Sequence, residues 1–232
     1  IPGRVNMILK NHRIIITGAG RGIGRVIACH AAAAGADLVL ISRHIDQLRQ
    51  TQDELESLKP PFSKIRLLEL DIACHDDVCR QIGIIRKEWG GIEGLINNAG
   101  IQPPIGLLSD VSLEEWKRNV EINLFGTVHC CHAVLPMMME ANYGKIINLS
   151  GGGSTSPRPN FSAYGVAKTA VVRFSETLAE EVRDYHIDVN AISPGAVNTG
   201  MLNEVLQAGG MAGKEWDEAR RRETAGGDDP NL

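Results

Sequence analysis

The chain has 232 residues, of which 43% are hydrophobic and 22% charged, and a formal net charge of -4. That is ordinary globular usage, with length enough for one large α/β domain and a sizeable core. The mildly acidic balance gives no field to gather nucleic acid or an anionic membrane, and no apolar run of bilayer-spanning length is read.

Apolar runs of strand length alternate with longer helical patterns. Arg13 to Thr17 predicts a first strand, and Gly18 to Gly24 a glycine loop. Arg25 to Ala34 predicts a helix stopped by Gly35. Asp37 to Ser42 predicts the second strand, and Ile45 to Leu58 a helix stopped by Pro60 and Pro61. Ile65 to Leu70 is the third strand, His75 to Trp89 a helix ended by Gly90 and Gly91, and Ile92 to Asn97 the fourth strand. Ser112 to Ala141 predicts a long helical region, opened by Ser112 and Glu115 as a capping box. Lys145 to Leu149 is the fifth strand, Phe161 to Tyr185 a helix, and Ile187 to Ile192 the sixth strand. Strands apolar throughout and separated by helices imply a doubly wound parallel sheet covered on both faces. Residues 1–232 read as a single dinucleotide-binding and catalytic domain, short at its C-terminal end, with no internal repeat.

The first strand-to-helix turn reads Thr17, Gly18, Ala19, Gly20, Arg21, Gly22, Ile23, Gly24. Glycines there allow a tight turn and let backbone approach a pyrophosphate, while the helix start offers free N–H groups. The second strand ends in Ser42, Arg43 and His44, where NAD enzymes carry an acid for the ribose. A guanidinium binds a 2′-phosphate that an acid would repel, and Arg21 adds a second charge, so NADP(H) is preferred. NAD(H) stays open as the alternative cofactor.

These pieces, with Asp71 and Ile72, the run Asn97, Asn98, Ala99, Gly100, then Asn123, Tyr164 through Lys168, and Pro194, Gly195 and Thr199, occur in order along most of the chain. In that order the chain resembles the short-chain dehydrogenase/reductase family. The resemblance implies a Rossmann-type fold and a nicotinamide cofactor. It implies an adenine contact at Asp71 and Ile72, a brace beside the cofactor at Asn98, Ala99 and Gly100, and a carboxamide site at Pro194, Gly195, Val197 and Thr199.

Tyr164 and Lys168 stand four residues apart near a helix start and share one face. A free phenol has a pKa of about 10, and a neighbouring ammonium lowers it. The tyrosine then exchanges a proton with a carbonyl or alcohol oxygen. The resemblance implies that Lys168 also holds the ribose and that Asn123 orders a water in a proton relay. The family's usual serine lies thirteen residues before the tyrosine, and here that position is Gly151. Ser150 is expected to face the other way, and Ser154 is the preferred substitute, brought in by the flexible run Gly151, Gly152, Gly153.

Cys29, Cys74, Cys79, Cys130 and Cys131 show no disulfide framework, so free thiols and a reducing, cytoplasmic compartment are expected. No Cys and His pair shows zinc-site spacing, and no metal site is expected. Met137, Met138 and Met139, with Trp89 and Trp116, read as packing residues, and Arg220, Arg221 and Arg222 as a solvated face. Met201 to Glu223 reads either as a mobile substrate lid with hinges at Gly209, Gly210 and Gly213 or as an ordinary surface helix and loop. The chain starts at Ile1 and stops at Leu232, soon after Asp228, Asp229 and Pro230. A processed or incomplete chain is expected, lacking the family's last helix and final edge strand. The expected partners are a small carbonyl or alcohol substrate and, from the resemblance, further copies in a homodimer or homotetramer. The expected reaction is hydride transfer between NADP(H) and that substrate, with 3-oxoacyl thioesters as one subclass. The competing expectation is a non-catalytic NADP(H)-binding regulator, motivated by Gly151.

Overall fold

The protein is described by a computed structural model covering residues 7–58, 64–195 and 200–224. Its elements are β1 (Arg13–Thr17), α1 (Gly22–Ala33), β2 (Asp37–Ser42), α2 (Ile45–Ser57), β3 (Ile65–Glu69), α3 (His75–Trp89) and β4 (Gly94–Asn97). They continue with α4 (Leu113–Val120), a π turn (Glu121–Phe125), α5 (Gly126–Ala141), β5 (Gly144–Leu149) and α6 (Ser162–Glu181). After β6 (Ile187–Ile192) come α7 (Gly200–Ala208) and α8 (Lys214–Thr224). Pro60 and Pro61, Val197 and Thr199, and the segment Asp228 to Pro230 lie outside the described residues.

The six strands form one parallel sheet in the order β3-β2-β1-β4-β5-β6, the doubly wound Rossmann arrangement. Alternation along the strands feeds two cores. Ile15, Val39 and Ile41 face the side packed by Val78, Ile82 and Ile85 of α3 and by Val134 and Met138 of α5. Ile14, Ile16, Leu38 and Leu40 face Ala28, Ala32, Leu48 and Leu55 of α1 and α2. Burial on both faces is why these strands read as continuous apolar runs. β6 pairs only with β5 among the described residues, so it is the outer strand there.

The long helical region is in fact two helices joined by a π turn, in which the Gly126 N–H bonds the Glu121 carbonyl. Ser112 caps α4 by accepting the Glu115 N–H at 3.4 Å. Taken as one stretch, Leu113–Ala141 is long and apolar enough to cross a membrane by length and composition, against the reading of the sequence. Half of its most apolar window is buried within the fold, where α5 packs on α3 and α4 packs on α6. The turns between each strand and the next helix lie at the C-terminal edge of the sheet. A doubly wound sheet opens its crevice there, between β1 and β4.

Candidate active site

The glycine loop turns because its residues have no side chain. Gly18 has φ +66°, and a Cβ there would come within 2.8 Å of the Ala99 Cα. A Cβ on Gly24 would overlap the Gly18 carbonyl, so helix α1 and the loop meet backbone to backbone. The loop is braced from β4: the Asn98 side-chain amide donates to Thr17 O at 3.0 Å and to Gly18 O at 3.2 Å. The Thr17 hydroxyl accepts the Asn98 and Ala99 N–H groups, each at 3.0 Å. Thr17 and Gly24 therefore stand behind the loop and support it.

In front of the loop is a groove lined by Gly18, Gly20, Arg21, Gly22 and Ile23 on one side and by Asn98, Ala99 and Gly100 on the other. Ser42, Arg43, His44, Asp71 and Ile72 line it farther along. No side chain caps the start of α1, so the first N–H groups of the helix face this groove. The cradle left open by the glycines, the uncapped helix start and the cation beyond Ser42 fit a dinucleotide phosphate. Two residues are less free than expected. Asp71 accepts the Ala73 N–H at 3.0 Å and is ion-paired with Arg118. Arg21, at the phosphate loop, lies 3.9 Å from the Glu204 carboxylate of α7.

A second cavity adjoins the groove at Ile23 and Met201. Tyr164, Ser150, Gly151, Gly152, Ser193, Pro194, Gly195 and Gln102 line it, and Leu202 and Val205 of α7 with Ala219 of α8 cover it. Tyr164 and Lys168 come together as their spacing predicts, with the Lys168 Nζ 5.8 Å from the Tyr164 ring centre. Their electrostatics differ from expectation. Lys168 is buried, donates to the Leu149 carbonyl at 2.7 Å, and burial pushes its pKa down to about 8. Burial pushes the Tyr164 phenol up, and the cation that opposes the rise is Arg158, not Lys168.

Arg158 was not singled out in the sequence. Its guanidinium carbon lies 3.8 Å from the Phe161 ring centre and 5.3 Å from that of Tyr164. A two-pronged pair with Glu215 of α8 holds it there. Glu204 is a second such residue, reaching in from α7. It ion-pairs weakly with Arg21, burial pushes its carboxyl up, and its Oε2 has no hydrogen-bond partner. Nothing in local sequence marks either one, since both meet the tyrosine only through tertiary packing.

Asn123 and Lys168 meet at Gly100, where a Cβ would lie 2.5 Å from the Asn123 Oδ1 and 3.5 Å from the Lys168 Nζ, whereas Ser154 is not where the sequence reading had it. The Asn123 side chain is fully buried in the π turn. It accepts the Ile101 N–H at 3.2 Å and donates to Ile101 O at 2.8 Å and to Asn119 Oδ1 at 2.8 Å. It pins the chain after Gly100 and does not reach the Tyr164 cavity. Ser154 turns away because Gly153 takes φ +90° and the Ser154 N–H bonds back to the Gly151 carbonyl at 3.2 Å. It lines a separate depression with Val166, Thr169 and Arg173. The space of the absent serine is occupied instead: a Cβ on Gly151 would overlap the Tyr164 phenol oxygen and lie 3.0 Å from its Cζ. Ser150, expected to face away, lines the cavity, with its hydroxyl 3.5 Å from the Lys168 carbonyl.

Comparison with known proteins identifies the family and matches the fold. The family model for short chain dehydrogenases matches residues 12–209. A 3-oxoacyl-(acyl-carrier-protein) reductase of Chlamydia muridarum is 32% identical over 197 residues, which span 85% of this chain and 78% of that protein. The crystal structure of an NAD+-bound xylitol dehydrogenase superposes with a TM-score of 0.83 at 26% identity, covering 89% of this chain and 79% of that one. A gluconate 5-dehydrogenase from Burkholderia cenocepacia, in complex with NADP and tartrate, superposes with a TM-score of 0.80 at 28% identity, covering 89% and 80%. A match across most of the chain, around a glycine cradle and a tyrosine–lysine pair, makes it a member of the short-chain dehydrogenase/reductase family of oxidoreductases.

Proposed function

We propose that this chain is an NADP(H)-dependent reductase or dehydrogenase that interconverts a small carbonyl compound and its alcohol. The observation that carries the reading is the Tyr164 phenol in the wall of a cavity that opens beside the glycine-lined groove. Gly18, Gly20, Gly22 and Ile23 would hold the phosphates at the start of α1. Ser42 and Arg43 would take the 2′-phosphate, and Asp71 and Ile72 would flank the adenine. When bound, the dinucleotide supplies or accepts the hydride.

The remaining work belongs to the chain. In reduction the Tyr164 phenol gives its proton to the carbonyl oxygen. Its upward-shifted pKa keeps that proton in place at neutral pH. In oxidation the phenol must first lose the proton, so the alcohol-oxidising rate rises with pH. Arg158 stabilises the phenolate left behind, and Lys168, anchored on Leu149, holds a donor near Gly100 for the ribose. Helices α7 and α8 cover Phe161 and Tyr164 through Val205, Ala212 and Ala219, which keeps water from the reacting oxygen.

The name of the Chlamydia relative supports 3-oxoacyl thioesters as the first substrates to try. Free cysteines support a reducing, cytoplasmic setting, and exposed Phe125 and Val166 on the π turn and α6 support self-association. The test is NADPH oxidation with a panel of ketones and 3-oxoacyl thioesters, comparing the natural chain with Tyr164→Phe. Turnover is expected to fall by about 10²–10⁴-fold with cofactor affinity nearly unchanged. Tight NADPH binding with no turnover on any substrate would favour the regulator reading that Gly151 motivates.

A further inference from the structure

Away from the active site, α3 and α5 bring together three groups that the sequence keeps far apart. His75 opens α3, Cys79 follows one turn later on the same face, and His132 projects from the middle of α5. The His75 Nε2 lies 3.3 Å from the His132 Nδ1 and 3.3 Å from the Cys79 sulfur. All three donor atoms lie within 4.8 Å of one another. A tetrahedral ion with bonds of about 2.05 Å to nitrogen and 2.3 Å to sulfur sets its donors roughly 3.3–3.6 Å apart. Two of the three edges already have that length, and a small side-chain movement closes the third.

The surroundings are those of a ligand set. The Asp76 carboxylate is 3.3 Å from the His75 Nδ1. An N–H donated there fixes the tautomer that leaves the Nε2 lone pair aimed at His132 and Cys79, the arrangement in which a carboxylate orients a metal-bound imidazole. His129 stacks edge-on against His75, with ring centres 5.1 Å apart, and its Nδ1 bonds the Ile72 carbonyl at 3.0 Å. The cluster is open to solvent on one side, since the His75 side chain is 44% exposed, so an ion has a way in.

We propose that His75, Cys79 and His132 bind a single divalent metal ion of the zinc class, with the fourth position open to water. Two nitrogens and a thiolate are the borderline-soft donors that zinc takes. The Cys79 thiol gives up its proton to solvent as the metal–sulfur bond forms, and His132 moves its proton to Nε2 to free Nδ1. The proposal departs from the expectation of no metal-ligating Cys and His pair. The relevant spacings are one helical turn for His75 and Cys79, and a contact between residues 57 apart in sequence for His75 and His132. The ion joins the start of α3 to α5, just past the Asp71–Cys74 turn whose Asp71 and Ile72 line the dinucleotide groove. Its role is therefore to hold that rim in place, not to take part in the reaction.

The experiment is titration of the metal-free full chain with Co(II), then competition with Zn(II). One equivalent of Co(II) is expected to give a near-ultraviolet sulfur-to-metal charge-transfer band and the intense visible bands of tetrahedral cobalt. Cys79→Ser is expected to abolish the charge-transfer band, and Cys74→Ser, at an exposed neighbouring thiol, to leave it intact. His132→Asn is expected to weaken binding by at least about 100-fold, and Asp76→Asn by about 10-fold with the band retained. Zn(II) at about 100 times its dissociation constant should raise the melting temperature of the natural chain by roughly 5–10 °C. Of the substituted residues only Cys79 is half-buried, the others being exposed, and circular dichroism checks that each variant is folded. Absence of the band from the natural chain, its persistence in Cys79→Ser, or equal metal affinity in His132→Asn would overturn the proposal.

Discussion

Restoring the family's serine at residue 151 is expected to damage this protein. A Cβ at Gly151 would overlap the Tyr164 phenol oxygen and would lie 3.0 Å from Cζ and 3.2 Å from Cε1. Carbon atoms settle at about 3.5–4.0 Å, so the ring has to withdraw by roughly 0.5–1 Å. It has little room to do so. Tyr164 is 5% exposed, packed with Phe161, Val205 and Ala212 and flanked by Arg158. Overpacking of this kind costs about 1–3 kcal/mol, or roughly 3–10 °C in melting temperature for a chain of this size. Displacing the proton donor by about 1 Å costs on the order of 100-fold in turnover. Both Gly151→Ala and Gly151→Ser introduce the same Cβ, so both should melt earlier and turn over more slowly, with NADPH affinity preserved. Differential scanning fluorimetry and steady-state ketone reduction measure the two effects. A Gly151→Ser protein as stable as the natural chain, and equally fast or faster, would refute the placement of the phenol over the residue 151 backbone.

Other substitutions probe the groove and the buried lysine. Gly24→Ala would set a methyl group against the Gly18 carbonyl and 2.5 Å from the Asn98 amide nitrogen, so NADPH affinity by fluorescence titration should fall at least about 10-fold. An unchanged affinity would mean the loop can shift away. Arg43→Ala should weaken NADPH by about 10–100-fold and leave NADH unaffected, the loss of one charge-assisted phosphate contact. Equal losses for both cofactors would remove Arg43 from the 2′-phosphate. Lys168 has its pKa pushed from 10.5 to about 8 by burial. Between those values the unfolded chain binds a proton that the folded chain does not, so the natural protein gains stability as pH rises through the window. Lys168→Met lacks that gain. Its stability relative to the natural chain should therefore drop by up to about 3 kcal/mol between pH 8 and 10.5 in urea unfolding. A flat difference would mean that folding does not lower the Lys168 pKa.

The sheet was legible because burial on both faces leaves a strong mark: each of β1 to β6 matches its predicted run to within two residues. The glycine loop was equally legible, since only glycine fits the φ of Gly18 and the contact at Gly24. The π turn was not. One extra residue in an otherwise continuous helical pattern has no propensity signature, and tertiary bonds from Asn123 to Ile101 hold it in place. Ser154 was misplaced for a related reason. Three glycines permit many paths, and the path taken follows a turn at Gly151, where the Ser154 N–H bonds the Gly151 carbonyl at 3.2 Å.

The electrostatics of the tyrosine–lysine pair show where sequence spacing stops being informative. Four residues on a helix place two side chains on one face, but they do not set the dielectric or the remaining neighbours. Here both groups sink into the protein. The ammonium is drawn to the Leu149 carbonyl, and the phenol receives its cation from Arg158. Arg158 is held by Glu215 of α8, and Glu204 of α7 and Glu215 are the carboxylates that raise the phenol further. The acidity of the Tyr164 phenol is thus set jointly by the sheet end and by the two helices that cover it. Undocking α7 and α8 would take both carboxylates from the phenol, free Arg158 from Glu215, and admit water. Removing the carboxylates and the burial would each lower the phenol's pKa, so the docked helices hold it up.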